Sequence, residues 1–140
     1  MMDVEVVHSK TAYPLLHWYQ PDLRVDTKTG EFVLHNSTDG GAHYVGPQPI
    51  PGPDHTYVVL LFRQPSDYQF PDCFDSIFPI SVETRKGFDL HRFITVTGLG
   101  EPIAANYFTS RNSGQVTESP AHPTTTFLSH GPCATETRTA

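Results

Sequence analysis

Residues 44–62 read YVGPQPIPGPDHTYVVLLF, and the two halves of this stretch obey opposite physics. Four prolines and two glycines fall within the eleven residues 44–54. They remove backbone donors and fix φ too often for a helix or a central strand. Residues 55–62 are then a dense β-branched and aliphatic run, the pattern of a strand buried on both faces. A stiff proline loop feeding a buried strand, with His55 at the junction, is a way to build one wall of a pocket.

Working outward, Met2, Val4 and Val6 alternate with Asp3 and Glu5, which predicts a half-buried strand. The two acids project from one face, about 7 Å apart in a regular strand. A solvated acidic face is the plainer expectation; a face lining a cavity is the sharper one. Residues 8–13 read as a polar connector. Residues 15–19 (LLHWY) predict a second short strand ended by Pro21, with Leu15, His17 and Tyr19 on one face. A lone histidine in such company is more often a satisfied core residue than a ligand. A hairpin is expected across residues 24–35 around Lys28-Thr29-Gly30, a short edge strand at 78–82 and a last strand at 102–109. One helix is predicted, with Asp89 as its N-cap, a stripe of Leu90, Phe93, Ile94 and Leu99, and a stop at Gly98 or Gly100. From Ser110 onward Ser, Thr, Pro, Gly and Ala dominate. Residues 110–140 therefore read as a disordered tail, leaving 1–109 as the folded domain.

Composition closes off several classes. A chain of 140 residues holds one domain at most. A net charge of −6 and the lack of a basic run argue against nucleic acid as a partner. Cys73 and Cys133 are too few and too distant to read as a disulfide framework, and are expected as buried or unpaired thiols in a reducing compartment. No apolar run reaches the length of a transmembrane segment, and the first ten residues lack the apolar core of a signal peptide, so the cytoplasm is the expected location. There is no phosphate loop, no Cys-x-x-Cys, no His-Glu-x-x-His and no nucleophile elbow. The eight histidines do not pair at ligand spacing, so neither a metal nor a cofactor is expected. What remains is a set of polar groups at strand starts and faces: Asp3, Glu5, His17, His55 and Tyr57, walled by Pro47, Pro49 and Pro51.

Segment by segment, these residues resemble one family. GPQPIPGPDHTYVVLLF resembles the GP-x-PP-x-G…H-R-Y-V-F segment of the phosphatidylethanolamine-binding proteins. Leu16-His17-Trp18 is similar to the family's L-H-W strand, and GLGEPIAANYF at 98–108 to its L-G-x-P-V-A-A-N-F/Y-F signature. MMDVEVV at 1–7 then falls where the family carries D-P-D-A-P. Four segments in order across residues 1–109 make a specific match, closest to the fungal branch. The resemblance implies a mostly β fold of two packed sheets, a partial β-sandwich, since the family's N-terminal strands have no counterpart here. It implies a pocket for phosphate-like anions and phospholipid headgroups formed by Asp3, Glu5, His17, Pro47, Pro49, Pro51, His55 and Tyr57, with Phe108 over its mouth. In that pocket His17 and His55 are expected as protonated donors, with Asp3 favouring the charge. Three departures stand out: both prolines of D-P-D-A-P are absent, Thr56 replaces an arginine, and Ile50 replaces a proline.

The resemblance leaves three functions open, and leaves open whether the chain is catalytic. The leading expectation is a small-anion or phospholipid-headgroup binding protein. The alternative is an accessory protein or enzyme in a fungal secondary-metabolite pathway of the maleidride (phomoidride) type, assisting the coupling of anhydride monomers beside a pathway enzyme. The third is a protease or kinase inhibitor acting through a protein partner.

Overall fold

Alternating apolar residues do open the chain as a strand, β1 (Met2–His8), paired antiparallel with β2 (Thr11–Leu16). The pairing shifts register between Asp3 and Val6. Such a bulge resets the two-residue period. Met2 and Asp3, neighbours before the shift that face opposite sides of an interior strand, are both buried, as is Val6 beyond it, whereas Val4 is exposed. Asp3 thus turns inward, and the solvated acidic face is not formed at this residue. The computed structural model describes residues 1–8, 11–34, 40–114, 124–127 and 131–133.

The expected polar connector at 8–13 is largely strand, because β1 runs to His8 and β2 starts at Thr11. The second strand predicted at 15–19 correspondingly lies earlier and ends at Leu16, beyond which Tyr19 makes an isolated bridge with Ala42. β3 (Leu23–Val25) and β4 (Phe32–Leu34) form the predicted hairpin. Its turn is organised by Asp26, whose Oδ1 accepts from Lys28 N at 2.7 Å while its carbonyl accepts from Gly30 N at 2.8 Å. Gly30 sits at φ 75° there, a conformation glycine adopts at little cost.

β5 (His55–Leu61) pairs antiparallel with β1 on one side and with β6 (Ala104–Ser110) on the other. β7 (Thr124–Thr125) lies parallel to β2, giving one sheet in the order β6-β5-β1-β2-β7. β5 is not buried on both faces as its composition suggests. Only His55 and Tyr57 are buried and the remainder is half-buried. Position explains this: only β6, exposed from Ala104 to Thr109, separates β5 from the sheet edge.

The edge strand expected at 78–82 is not formed: residues 78–81 bend between two short helical turns. A 3₁₀ turn at Asp72–Ile77 leads through a bend into α1 (Val82–Arg85). α2 (Leu90–Thr97) follows as predicted: Asp89 Oδ1 accepts from Arg92 N at 2.9 Å, and Gly98 ends the helix at φ 66°. Phe93 on its inner face meets Phe74, Phe88, Phe70 and Tyr19 with ring centroids 5.1 to 6.1 Å apart. This aromatic cluster, with Leu16, Ala42, Ile77 and Cys133, is the larger core.

Cys133 overturns the expectation of unpaired thiols. It is bonded to Cys73 across 60 residues, with Cα atoms 5.1 Å apart. Sequence spacing could not reveal the pair, since only folding brings 133 back to the 3₁₀ turn. Most of the predicted tail lies outside the described residues. Of its described parts, Thr124–Thr125 pairs with β2 and Cys133 is buried in the core. The mostly β architecture with few short helices is as the sequence implies, and no helix of the described residues is long and apolar enough to cross a membrane.

Candidate functional site

The antiparallel pairing of β1 with β5 places Asp3 opposite Tyr57, two residues along from His55. His55 Nδ1 donates to Asp3 Oδ2 at 2.6 Å, and both side chains are buried. Tyr57 is held from three sides. His17 meets it edge-on at 5.1 Å, His55 lies in stacked orientation at 6.5 Å, and Phe108 stacks on it at 5.1 Å with planes 11° apart. Burial first, then the Asp3 carboxylate that accepts from its hydroxyl, push the Tyr57 phenol up to about 12. Tyr57 is therefore a hydrogen-bond donor at any physiological pH. Asp3, His17, His55, Tyr57 and Phe108 thus come together from four strand or post-strand positions.

His17 behaves differently from expectation. Its Nδ1 donates to the Val45 carbonyl at 2.8 Å, which leaves Nε2 as the bare nitrogen of the neutral ring. That nitrogen is buried without a hydrogen-bond partner. Burial lowers the His17 pKa, and this outweighs the opposing pull of the Val45 bond and of Asp3. His17 is thus neutral near pH 7, not the charged donor the family resemblance suggests. Desolvation wins because protonation would add a second, unanswered donor inside the protein. The stability consequence follows by linkage. Above the unfolded value of about 6.5 the neutral ring is bound in both states. As pH falls from there through the lower folded value, the unfolded state takes up the proton first and stability is lost. Melting temperature should fall between pH 7 and pH 5, and His17→Phe should flatten that slope; an equally steep slope in the variant would remove His17 as its source.

The proline loop is pinned at both ends of its approach. His17 and Val45 bond reciprocally, with Val45 N donating to the His17 carbonyl at 2.9 Å. Two residues earlier, Arg85 Nη1 donates to the His43 carbonyl at 2.7 Å. Farther on, Asn112 Nδ2 donates to the Pro49 carbonyl at 3.1 Å, and Pro51 bridges to Asn112. Pro49 and Pro51 are thereby tied to the exit of β6, and Pro47 sits half-buried between the two anchorages. The Glu5 side chain lies outside the described residues. Arg85, Val45 and Asn112 escaped the sequence reading. Val45 acts through its backbone and Arg85 looks like any surface cation, so neither carries a signal in the sequence; Asn112 follows the matched signature too closely to belong to it. No group of three or more potential metal ligands occurs among the described residues.

With this geometry in place, the comparisons decide the lineage. The profile of the phosphatidylethanolamine-binding proteins matches residues 1–108. The chain belongs to that family. It is 41% identical over 114 residues to phomoidride biosynthesis cluster protein N of Talaromyces stipitatus, covering 81% of this chain and 58% of that protein. A protein of the same name from another fungus (Fungal sp.) is 39% identical over 118 residues, covering 84% of this chain and 54% of its own. CEN-like protein 1 of Nicotiana tabacum is 30% identical over 98 residues, 69% of this chain and 46% of that one. The chain thus spans about half the length of the curated relatives it matches. No solved structure matches it.

Proposed function

We propose that this phosphatidylethanolamine-binding family member serves a fungal secondary-metabolite pathway of the phomoidride type, in the cytoplasm, by binding a small anionic intermediate. The anion would sit at the cluster of Asp3, His55, Tyr57 and His17, beneath Phe108 and beside the loop of Pro47, Pro49 and Pro51. The pathway rests on the two fungal relatives, both phomoidride biosynthesis cluster proteins. The ligand class rests on one observation, the buried Asp3–His55 hydrogen bond next to Tyr57. A carboxylate that holds His55 Nδ1–H turns the opposite ring nitrogen toward whatever ligand arrives, and fixes its orientation beforehand. Dicarboxylates, the ring-opened form of cyclic anhydrides, offer two oxygen pairs to such a site. The neutral His17 ring adds an acceptor rather than a charge to the site, its bare Nε2.

The test is calorimetric titration of the full chain with maleate, inorganic phosphate and phosphoethanolamine. Maleate is expected to bind most tightly, and His55→Asn to weaken it by about tenfold or more, the scale of one lost charge-assisted hydrogen bond. Preference for phosphoethanolamine would instead favour a headgroup-binding protein. Unchanged maleate affinity in His55→Asn would remove that residue from the site.

A further inference from the structure

The Cys73–Cys133 bond joins the family-matched domain to a segment beyond it, since the match ends at residue 108. Its two sulfurs sit in unlike surroundings. Cys73, on the 3₁₀ turn, is half-buried, whereas Cys133 is 2% exposed and packed in the aromatic core. One cation stands beside the buried sulfur. Arg92 Nη2 lies 3.4 Å from Cys133 Sγ and donates to the Gly131 carbonyl at 2.6 Å. The same guanidinium lies over the Phe74 ring, 5.9 Å from its centroid. The arginine is therefore oriented from its own helix toward the strap it holds.

We propose that Cys73–Cys133 is a site of directional thiol–disulfide exchange that latches the 131–133 segment to the core, with Arg92 as the residue that sets its direction. The attacking group is the thiolate of a dithiol, small or protein-borne. It reaches the half-exposed Cys73 Sγ and forms a new S–S bond there. The Cys73–Cys133 bond breaks, and its electron pair leaves on Cys133 Sγ. The guanidinium beside that atom stabilises the departing thiolate, and a leaving thiol of lower pKa leaves faster. The second thiol of the dithiol then attacks the mixed disulfide. Cys73 is released as a thiolate, the reductant becomes a disulfide, and both protein thiolates take protons from water. Two electrons pass from dithiol to protein. The opposite direction, attack on Cys133, would require entry into the aromatic core.

The consequence is a latch. With the bond intact, Cys133 packs in the core cluster that contains Phe74, and the Gly131 carbonyl accepts from Arg92. Once it is reduced, the covalent tie is gone and the segment is held by non-covalent contacts such as the Arg92–Gly131 hydrogen bond. In a cytoplasm rich in reducing thiols such a bond is under continuous attack, so its state would report the local redox poise. This inference is independent of the anion reading, because none of its residues belongs to the Asp3–His55–Tyr57–His17 cluster.

The experiment uses the full chain purified without reductant, exposed to glutathione, acid-quenched and peptide-mapped. A single-thiol reagent cannot resolve its own adduct efficiently, so the first site of attack is recorded. Glutathione is expected on Cys73. In parallel, reduction by dithiothreitol should slow by about tenfold in Arg92→Gln through the loss of leaving-group stabilisation, with Arg92→Lys in between. Glutathione mapped mainly to Cys133, equal reduction rates in the three proteins, or two free thiols in the untreated chain would each overturn the proposal. Should Arg92→Gln not fold, the adduct map of the unaltered chain decides by itself.

Discussion

Replacing Asp3 with alanine is expected to lower unfolding free energy by about 3–5 kcal/mol, the scale found when one partner of a buried, hydrogen-bonded pair containing a carboxylate is removed. Asp3 is 1% exposed and holds His55 Nδ1 at 2.6 Å, so truncation strands a buried imidazole donor and a buried phenol together. For a domain stable by about 5–15 kcal/mol, such a loss corresponds to a fall in melting temperature of roughly 10 °C or more. Asp3→Asn should recover part of it, because the amide oxygen still accepts one hydrogen bond while the charge is gone. Thermal unfolding at pH 7.5 measures both. A loss under about 1 kcal/mol for the alanine variant, the range of an exposed ion pair, would show that the cluster is open to water and not preorganised.

Arg85→Ala is expected to be of similar size, about 3–5 kcal/mol, by a different route. Its guanidinium is buried and donates from Nε to the Ile77 carbonyl at 2.6 Å, from Nη1 to the His43 carbonyl at 2.7 Å and from Nη2 to the Phe78 carbonyl at 3.4 Å. One planar fork thus closes the end of the 3₁₀ turn and fastens the chain that leads to Val45. Burial lowers the Arg85 pKa, yet a guanidinium remains charged. Arg85→Lys should recover little, since a single ammonium cannot serve three carbonyls in that fixed geometry. Denaturant melts give the stability. The histidine ring signals in a proton–nitrogen spectrum give the second readout, because loss of the His43 anchor should shift His17 through Val45. A stability loss with His17 unmoved would leave Arg85 as a core strut with no bearing on the site.

Both residues show how unevenly the molecule can be read from its sequence. Asp89 and Gly98 announce α2 because capping is chemistry between neighbours three or four positions apart. Asp26 and Gly30 organise the hairpin for the same reason. The proline run at 47–53 and the β-branched run after it are equally local. Asp3 was a candidate both as a polar group on its strand face and through its motif position. Alternation put it on a face shared with Glu5, and pairing with β2 on one side and β5 on the other makes its strand interior there, where Asp3 is buried. Arg85 had no signal at all, since an arginine before Lys86 and Gly87 reads as surface until the fold buries it.

What the sequence determined by itself is therefore a set of short-range choices, the opening strand, the hairpin turn and the capped helix α2, while the family resemblance grouped the candidate side chains Asp3, His17, His55, Tyr57 and Phe108. The tertiary structure decided what those groups are chemically. It set Asp3 against His55 across 52 residues and left His17 Nε2 buried and bare, so that the ring is neutral. It also joined Cys73 to Cys133 across 60. Capping, turn and pleat rules act within a few residues, whereas desolvation, charge pairing and sulfur proximity depend on what the finished fold packs alongside.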